Sequence, residues 1–225
     1  MLSACFGSQN TGSEAGNESH DAAADASGSE GDASPDAGSG SSTTPESGST
    51  SGEGGVASGM ALNLTSLPSG AFNYTQGTYI ESFRFTANSA VVVTQLGYYD
   101  ASLAGATQTF AATPVGLYDM TTNALLGSVT VQPSDPVTGI FRFATLATPI
   151  TLDTTDTYAV VGVTGTNDYA AGFTYGDQIN PSLTWVGFGG DGSNNLTQTS
   201  ALVEPNFFWS TGAGDIGPNL LIGPR

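Results

Sequence analysis

From about Gly59 to the end, the chain never sustains apolar residues at helical spacing. Short runs of β-branched and aromatic residues alternate with polar ones at period two, and turn-forming residues break each run. That pattern restricts this part of the chain to strands. Runs of this kind lie at Tyr79–Phe85, Ala90–Leu96, Val115–Tyr118, Ala124–Val131, Gly139–Ala144, Tyr158–Val163, Ala171–Tyr175, Leu183–Val186 and Asn206–Trp209. Turns are expected at 121–123, 133–136, 166–168 and 189–192. Eight or nine short strands over about 165 residues predict an all-β fold, an antiparallel β-sandwich of jelly-roll-like type. A domain of that size can build a core without disulfides. This one has to, because Cys5 is the only cysteine.

Two of these runs contain the same triplet, Phe83-Arg84-Phe85 and Phe141-Arg142-Phe143. In a strand both phenylalanines face one way and the arginine the other. The phenylalanines are expected in the core. Arg84 and Arg142 are expected to point outward, as solvent-facing residues paired with nearby carboxylates.

The preceding segment is of another kind. Between Phe6 and Val56 there is no large apolar residue, and Gly, Ser, Ala, Asp, Glu and Thr dominate. Such a stretch cannot bury enough apolar surface to offset the entropy of ordering it. Residues 6–58 are therefore expected to be a disordered acidic linker. Carboxylates from Glu14 to Glu53 repel one another and extend a chain whose unperturbed reach is roughly 40 Å. The expected organisation is 1–5 as the remnant of a signal, 6–58 as a spacer and 59–225 as the sandwich.

Charge narrows the function classes. Lys+Arg total 3 against 20 Asp+Glu, giving a formal net charge of −17. Nucleic acid is excluded as a partner, since phosphate binding needs many Lys and Arg contacts. Direct adhesion to anionic membrane surfaces is disfavoured for the same reason. Only 10% of residues are charged, so the acidity reflects missing bases rather than a dense acidic coat. The sole histidine, His20, lies in the linker, and there is no lysine. The folded part therefore cannot hold a Ser-His-Asp or Cys-His arrangement, a Cys/His zinc site, a P-loop lysine or a Schiff-base lysine. A non-enzymatic role is expected. Gly187-Phe188-Gly189-Gly190-Asp191-Gly192 matches GxGxxG in form. No helical pattern follows it, so it reads as a turn rather than a dinucleotide site.

Several blocks together resemble a known group. They are Phe83–Phe85, Val91–Asp100 (VVVTQLGYYD), Val115–Asp119 (VGLYD), Leu125–Val131, Phe141–Phe143, Pro149–Leu152 and Thr157–Val160. In this order and spacing the series is similar to a β-sandwich domain of unknown function in bacterial exported and surface proteins, many of which carry a PEP-CTERM sorting tail. The similarity spans roughly residues 78–176, and Gly217–Leu221 resembles the closing strand of that group. Asp156 stands where the group usually has glycine. The chain ends at Pro224-Arg225 without the sorting motif, so attachment through such a tail is not expected. The resemblance implies a sandwich fold and an exported location, and brings no enzymatic role.

In that context Leu2-Ser3-Ala4-Cys5 matches the lipobox Leu-x-Ala/Gly-Cys of bacterial lipoproteins. The resemblance implies that Cys5 becomes the first mature residue and carries acyl chains, followed by a polar tether. Several acyl chains anchor firmly where one gives only marginal binding. No charged and apolar leader precedes the match, so Met1 is expected to be a start placed downstream of the true signal. Phe6 is not the aspartate that resembles an inner-membrane retention signal, which favours the outer membrane or cell surface.

Two kinds of residue remain as candidate contacts. Calcium takes oxygen ligands from carboxylates, amides and carbonyls, which sandwich loops can supply. The candidates are Asp191, Asn194 and Asn195 in one loop, and Asp153 with Asp156 in another. Most other carboxylates sit beside Gly, Pro, Asn or Thr, where they cap turns. Among aromatics, Tyr98 and Tyr99 are adjacent, so one is expected to face away from the core. Trp185 opens the Gly-rich stretch and Trp209 follows Phe207-Phe208. Rings of this kind, if exposed, can stack on sugars. The sequence thus points to a lipid-anchored surface protein whose sandwich binds polysaccharide or a surface protein outside the cell. Its rivals are a purely structural envelope or matrix component and a carboxylate-dependent glycosidase.

Overall fold

The alternating runs do become strands. In a computed structural model of the protein, the described residues are 58–74, 77–167, 169–173, 178–190, 201–210 and 214–224. The chain divides between Thr50 and Ser51, and all described residues belong to the second unit, Ser51–Arg225. Cys5 and the spacer through residue 57 lie outside them.

The strands are β1 (Gly59–Met60), β2 (Phe72–Tyr74), β3 (Ile80–Ala87), β4 (Val91–Tyr99), β5 (Thr113–Asp119), β6 (Ala124–Val131) and β7 (Val137–Thr138). They continue with β8 (Phe141–Leu152), β9 (Thr157–Val163), β10 (Tyr169–Phe173), β11 (Leu183–Gly190), β12 (Phe207–Trp209), β13 (Gly214–Ile216) and β14 (Pro218–Gly223). The only helical turn among the described residues is a short 3₁₀ segment, Ala101–Ala104.

Every pairing is antiparallel. A six-stranded sheet runs β12-β11-β3-β9-β5-β6, and a five-stranded sheet runs β1-β14-β4-β8-β7. A third sheet, β13-β10-β2, has three strands. The all-β, antiparallel expectation holds, with a third small sheet added to the sandwich. β8 is longer than its run suggested. Its ladder to β4 skips between Val93↔Ile150 and Gln95↔Thr145, so the extra residues, Pro149 among them, are absorbed without breaking the strand.

Both FRF triplets deliver their phenylalanines to the core. Phe83, Phe85, Phe141 and Phe143 are each at most 1% exposed. Phe83 and Phe85 stack at 5.4 Å, and Phe141 meets Phe143 at 6.1 Å. The arginines take the opposite side of their strands but are not solvated residues there. Arg142 Nε donates to Asp100 at 2.6 Å, with Asp100 fully buried and Arg142 only 19% exposed. The Arg142 guanidinium also donates to the Asp135 carbonyl and lies 5.7 Å from the Phe110 ring. Asp100 in turn caps the 3₁₀ turn by accepting from the Ser102 backbone and hydroxyl. Arg84 lies 4.7 Å over the Phe208 ring. The segment around Leu202, Val203 and Phe208 covers a second apolar cluster of Ile80, Tyr118, Ala159, Val161 and Val163.

Neutral amides fasten the parts that have no long ladder. Asn219, fully buried, accepts from Leu62 N at 3.0 Å and Leu220 N at 2.8 Å, and donates to the Leu62 carbonyl at 2.9 Å. Asn167 spans the β5 entry, exchanging two bonds with the Ala111 backbone and donating to Thr113. Asn180 donates to the Met60 carbonyl and accepts from Ser182 N. Removing such a group leaves buried backbone polar atoms without partners, which costs about 1–3 kcal/mol per group. Asn219→Ala should therefore lower the unfolding free energy by about 3 kcal/mol. Urea denaturation checks this: the midpoint should fall with the slope unchanged.

Candidate functional site

The four aromatic residues singled out in the sequence do not meet. Tyr98 and Tyr99 on β4 are both fully buried, which corrects the expectation that one faces away from the core. Neighbours in a strand do point to opposite faces, but here both faces are covered. Tyr98 packs against Gly162 of β9, where an added Cβ would lie 2.6 Å from its ring. Tyr99 meets Phe141 edge-on at 6.3 Å and donates its hydroxyl proton to Asn73. The segment from Leu62 to Asn73 closes that second side, bonding Asn219, Ile140 and Tyr99 in turn. Neither tyrosine offers a face to a ligand.

Trp185 and Trp209 lie on the neighbouring strands β11 and β12 and are half-buried. Trp185 leans on the main core beside its ladder partner Phe85. Trp209 belongs to an aromatic row: it stacks on Phe188 at 5.1 Å and 19°, and Phe207 abuts it edge-on at 4.3 Å. The Gly-rich stretch makes this row. Gly187 and Gly189 lie inside β11 rather than in a turn, and a Cβ on Gly189 would fall 1.9 Å from the Phe207 carbonyl. Glycine lets β12 close against β11.

Asp153 and Asp156 sit between β8 and β9. Asp153 is exposed and accepts from Thr155 N at 2.9 Å and the Thr155 hydroxyl at 2.7 Å. Those bonds hold its carboxyl below the usual aspartate value. The carboxylate is thereby engaged in its own turn. Asp191, Asn194 and Asn195 lie outside the described residues. Among the described residues, no three His, Cys, Asp or Glu side chains gather as a metal cage.

Among the described residues, two acids come together elsewhere. Glu81 follows the alternation of β3, in phase with Phe83 and Phe85, and is 2% exposed. Its partner is Asp215 on β13, a strand of the three-stranded sheet, so the pair joins two sheets. Gly217 permits the approach, since a Cβ there would lie 3.1 Å from Glu81 Cβ and 3.2 Å from the Tyr98 hydroxyl. Burial raises the Glu81 carboxyl well above its usual value, and the Asp215 charge and the hydrogen bond between the two add to this. Burial pushes Asp215 up to about 6, with the Glu81 hydrogen bond opposing. Tyr169 of β10 stands beside them, its hydroxyl pushed up first by burial and then by the charges of Glu81 and Asp215. A hydrogen-bonded carboxyl pair is closer than the roughly 5–9.5 Å separation of glycosidase carboxylates, so this pair lacks that geometry.

Compared with known proteins, the chain matches no family model and no curated relative.

The acid pair has a signed consequence for stability. Asp215 has a folded value of about 6 against 3.8 ordinarily, so the folded state holds its proton more tightly than the unfolded state. Stability from this group is fully present below pH 3.8 and is lost as pH rises toward about 6. Asp119 acts oppositely: burial raises it, but bonds from Thr121 and Thr122 outweigh that and lower it, so its contribution is lost only in stronger acid. Thermal unfolding in metal-free buffer should show the melting temperature falling between pH 4 and 6. The double variant Glu81→Gln/Asp215→Asn should flatten that slope.

Proposed function

We propose that the protein is a non-catalytic binding module displayed outside a bacterial cell. Cys5 carries lipid, residues 6–58 hold the sandwich away from the membrane, and the sandwich takes polysaccharide on the row Phe188–Trp209–Phe207. The row is the observation that carries this reading. Phe188 and Phe207 fix the Trp209 ring in one orientation while leaving it partly exposed. A ring already ordered gives up little entropy when it stacks on the apolar face of a sugar. The sparsely charged, base-poor composition suits a neutral ligand better than an anionic one. The lipobox match and the similarity to exported sandwich domains support the location.

Two measurements test the parts separately. The full chain should bind saturably to at least one member of a panel of insoluble polysaccharides, and Trp209→Ala should weaken that binding about tenfold with its melting temperature unchanged. Absence of binding across the panel, or equal binding by Trp209→Ala, overturns the recognition reading in favour of a structural envelope component. Cells expressing the chain with its upstream region should incorporate radioactive palmitate into it, and Cys5→Ala should not be labelled. Equal labelling of the two overturns the anchor.

A further inference from the structure

A cleft of 410 Å³ opens between β1 and the segment that leads into β11. Its walls are backbone laced across the gap. Asn180 N donates to the Ala61 carbonyl and Asn63 N to the Gln178 carbonyl, both at 2.8 Å, and Leu62 bridges Ile179. A cleft framed by such bonds exists before any ligand arrives, which spares the ligand the cost of ordering it. Gly59 keeps it open. Its φ of +127° belongs to a region that only glycine enters readily, and a Cβ there would stand 3.9 Å from Asn180 Nδ2. With no side chain at residue 59, that buried amide faces unfilled space.

The lining selects the ligand by what it offers and what it lacks. It holds no carboxylate to coordinate a cation and no base to meet an anion. The acidic stretch of sequence that ends at Glu53, five residues before Ser58, further disfavours an anion. The ligand is therefore neutral. Three polar side chains have hydrogen-bonding capacity to spare among the described residues. Asn180, 7% exposed, accepts from Ser182 N and donates to the Met60 carbonyl, which leaves its second amide proton unused. The Asn63 amide and the Ser58 hydroxyl are exposed and make no side-chain bond. Met60, Ile179 and Pro181 supply the apolar part of the lining. An amide both donates and accepts, as a sugar hydroxyl does, and a sugar ring carries hydroxyls at its edge and C–H groups on its face. The volume lies at the lower end of the roughly 300–1,000 Å³ of small-ligand clefts. We propose that this cleft binds one neutral sugar unit, edge-on to Asn63 and Asn180, as a saccharide site separate from the Trp209 row. The choice of a sugar among neutral polar ligands rests on the polysaccharide reading above, whereas the cleft and its free amides do not.

The two saccharide sites are told apart by where a soluble sugar is felt. The full chain, labelled with nitrogen-15, is titrated with glucose, galactose, mannose, N-acetylglucosamine, N-acetylgalactosamine and cellobiose while backbone amide shifts are followed. At least one of these sugars should shift the amides of residues 58–63, 178–180 and 182 along a saturating curve. Asn63→Ala, which removes one uncharged hydrogen-bonding group, should weaken that binding about fivefold. Ser58→Phe, which fills the cleft from an exposed position, should abolish it. Neither side chain bonds to another described residue, so both variants should fold, and circular dichroism checks this. Absence of shifts at these amides with every sugar overturns the proposal. So do shifts confined to residues 188 and 207–209, which would leave the Trp209 row as the saccharide site. An unchanged titration in folded Asn63→Ala and Ser58→Phe overturns it as well. Failure of the Trp209 row appears instead as polysaccharide retention that Trp209→Ala does not alter, a result that leaves the shifts at the cleft as they are.

Discussion

A shortage of positive charge governs how this sandwich is built. With three basic side chains and no lysine in the whole chain, a carboxylate that goes inside can seldom meet a base. Among the described residues, the ion pair is placed where it does structural work. Arg142 and Asp100 are joined at 2.6 Å, and Asp100 simultaneously caps the 3₁₀ turn that leads out of β4. The pair thereby fixes a strand end, the 3₁₀ turn and, through the bond from Arg142 to the Asp135 carbonyl, the β6–β7 connection. Other acids are handled without bases. Asp119 and Asp153 take hydrogen bonds from threonines two or three residues on, a local solution that needs no partner from another strand. Glu81 meets a second acid instead, and burial raises its carboxyl well above the usual value.

The same shortage explains the use of asparagine. Where a base-rich protein can cross-link segments with ion pairs, this one uses a neutral side chain carrying both a donor and an acceptor. Asn219, Asn167 and Asn180 each bond to backbone far away in sequence, reaching Leu62, Ala111 and Met60 respectively, segments whose own strands are short or absent. Neutral hydrogen bonds of this sort escape the desolvation penalty of a buried charge and lose nothing to salt. Among the described residues, the fold is accordingly held chiefly by apolar packing and amide geometry.

How much of this was legible follows from which signals are local. The long strands were, because period-two alternation is written in consecutive residues, and Phe83–Phe85 with Phe141–Phe143 located the core side correctly. β1, β2, β7 and β13, of two or three residues each, carry too short a pattern to be read. Their pairing depends on segments brought in from elsewhere, such as Gly59 against Ile222. The error over Tyr98 and Tyr99 has the same origin: a sheet with one solvated face was assumed, and the covering segment at 62–73 is remote in sequence. Trp209 was legible as a candidate, but the Phe188 stack that orders it was not. Glu81 was half-legible. Its phase with Phe83 and Phe85 placed a carboxyl in the core, yet its partner lies far along the chain, and no spacing rule joins them.

The acid pair and the aromatic row occupy the same side of one ladder. Glu81 is followed by Ser82, which pairs with Gly189 and donates its hydroxyl to that residue's carbonyl at 2.8 Å. Phe83 pairs with Phe188, and Phe188 with Trp209. A charge change at Glu81 is therefore a few residues from the proposed platform. Proximity alone does not couple two sites, since a ligand shifts an equilibrium only through different affinities for different states. The ladder from Ser82 to Phe85 is continuous toward β9, and glycine contacts clamp β11 against β12, so the row has one packed arrangement.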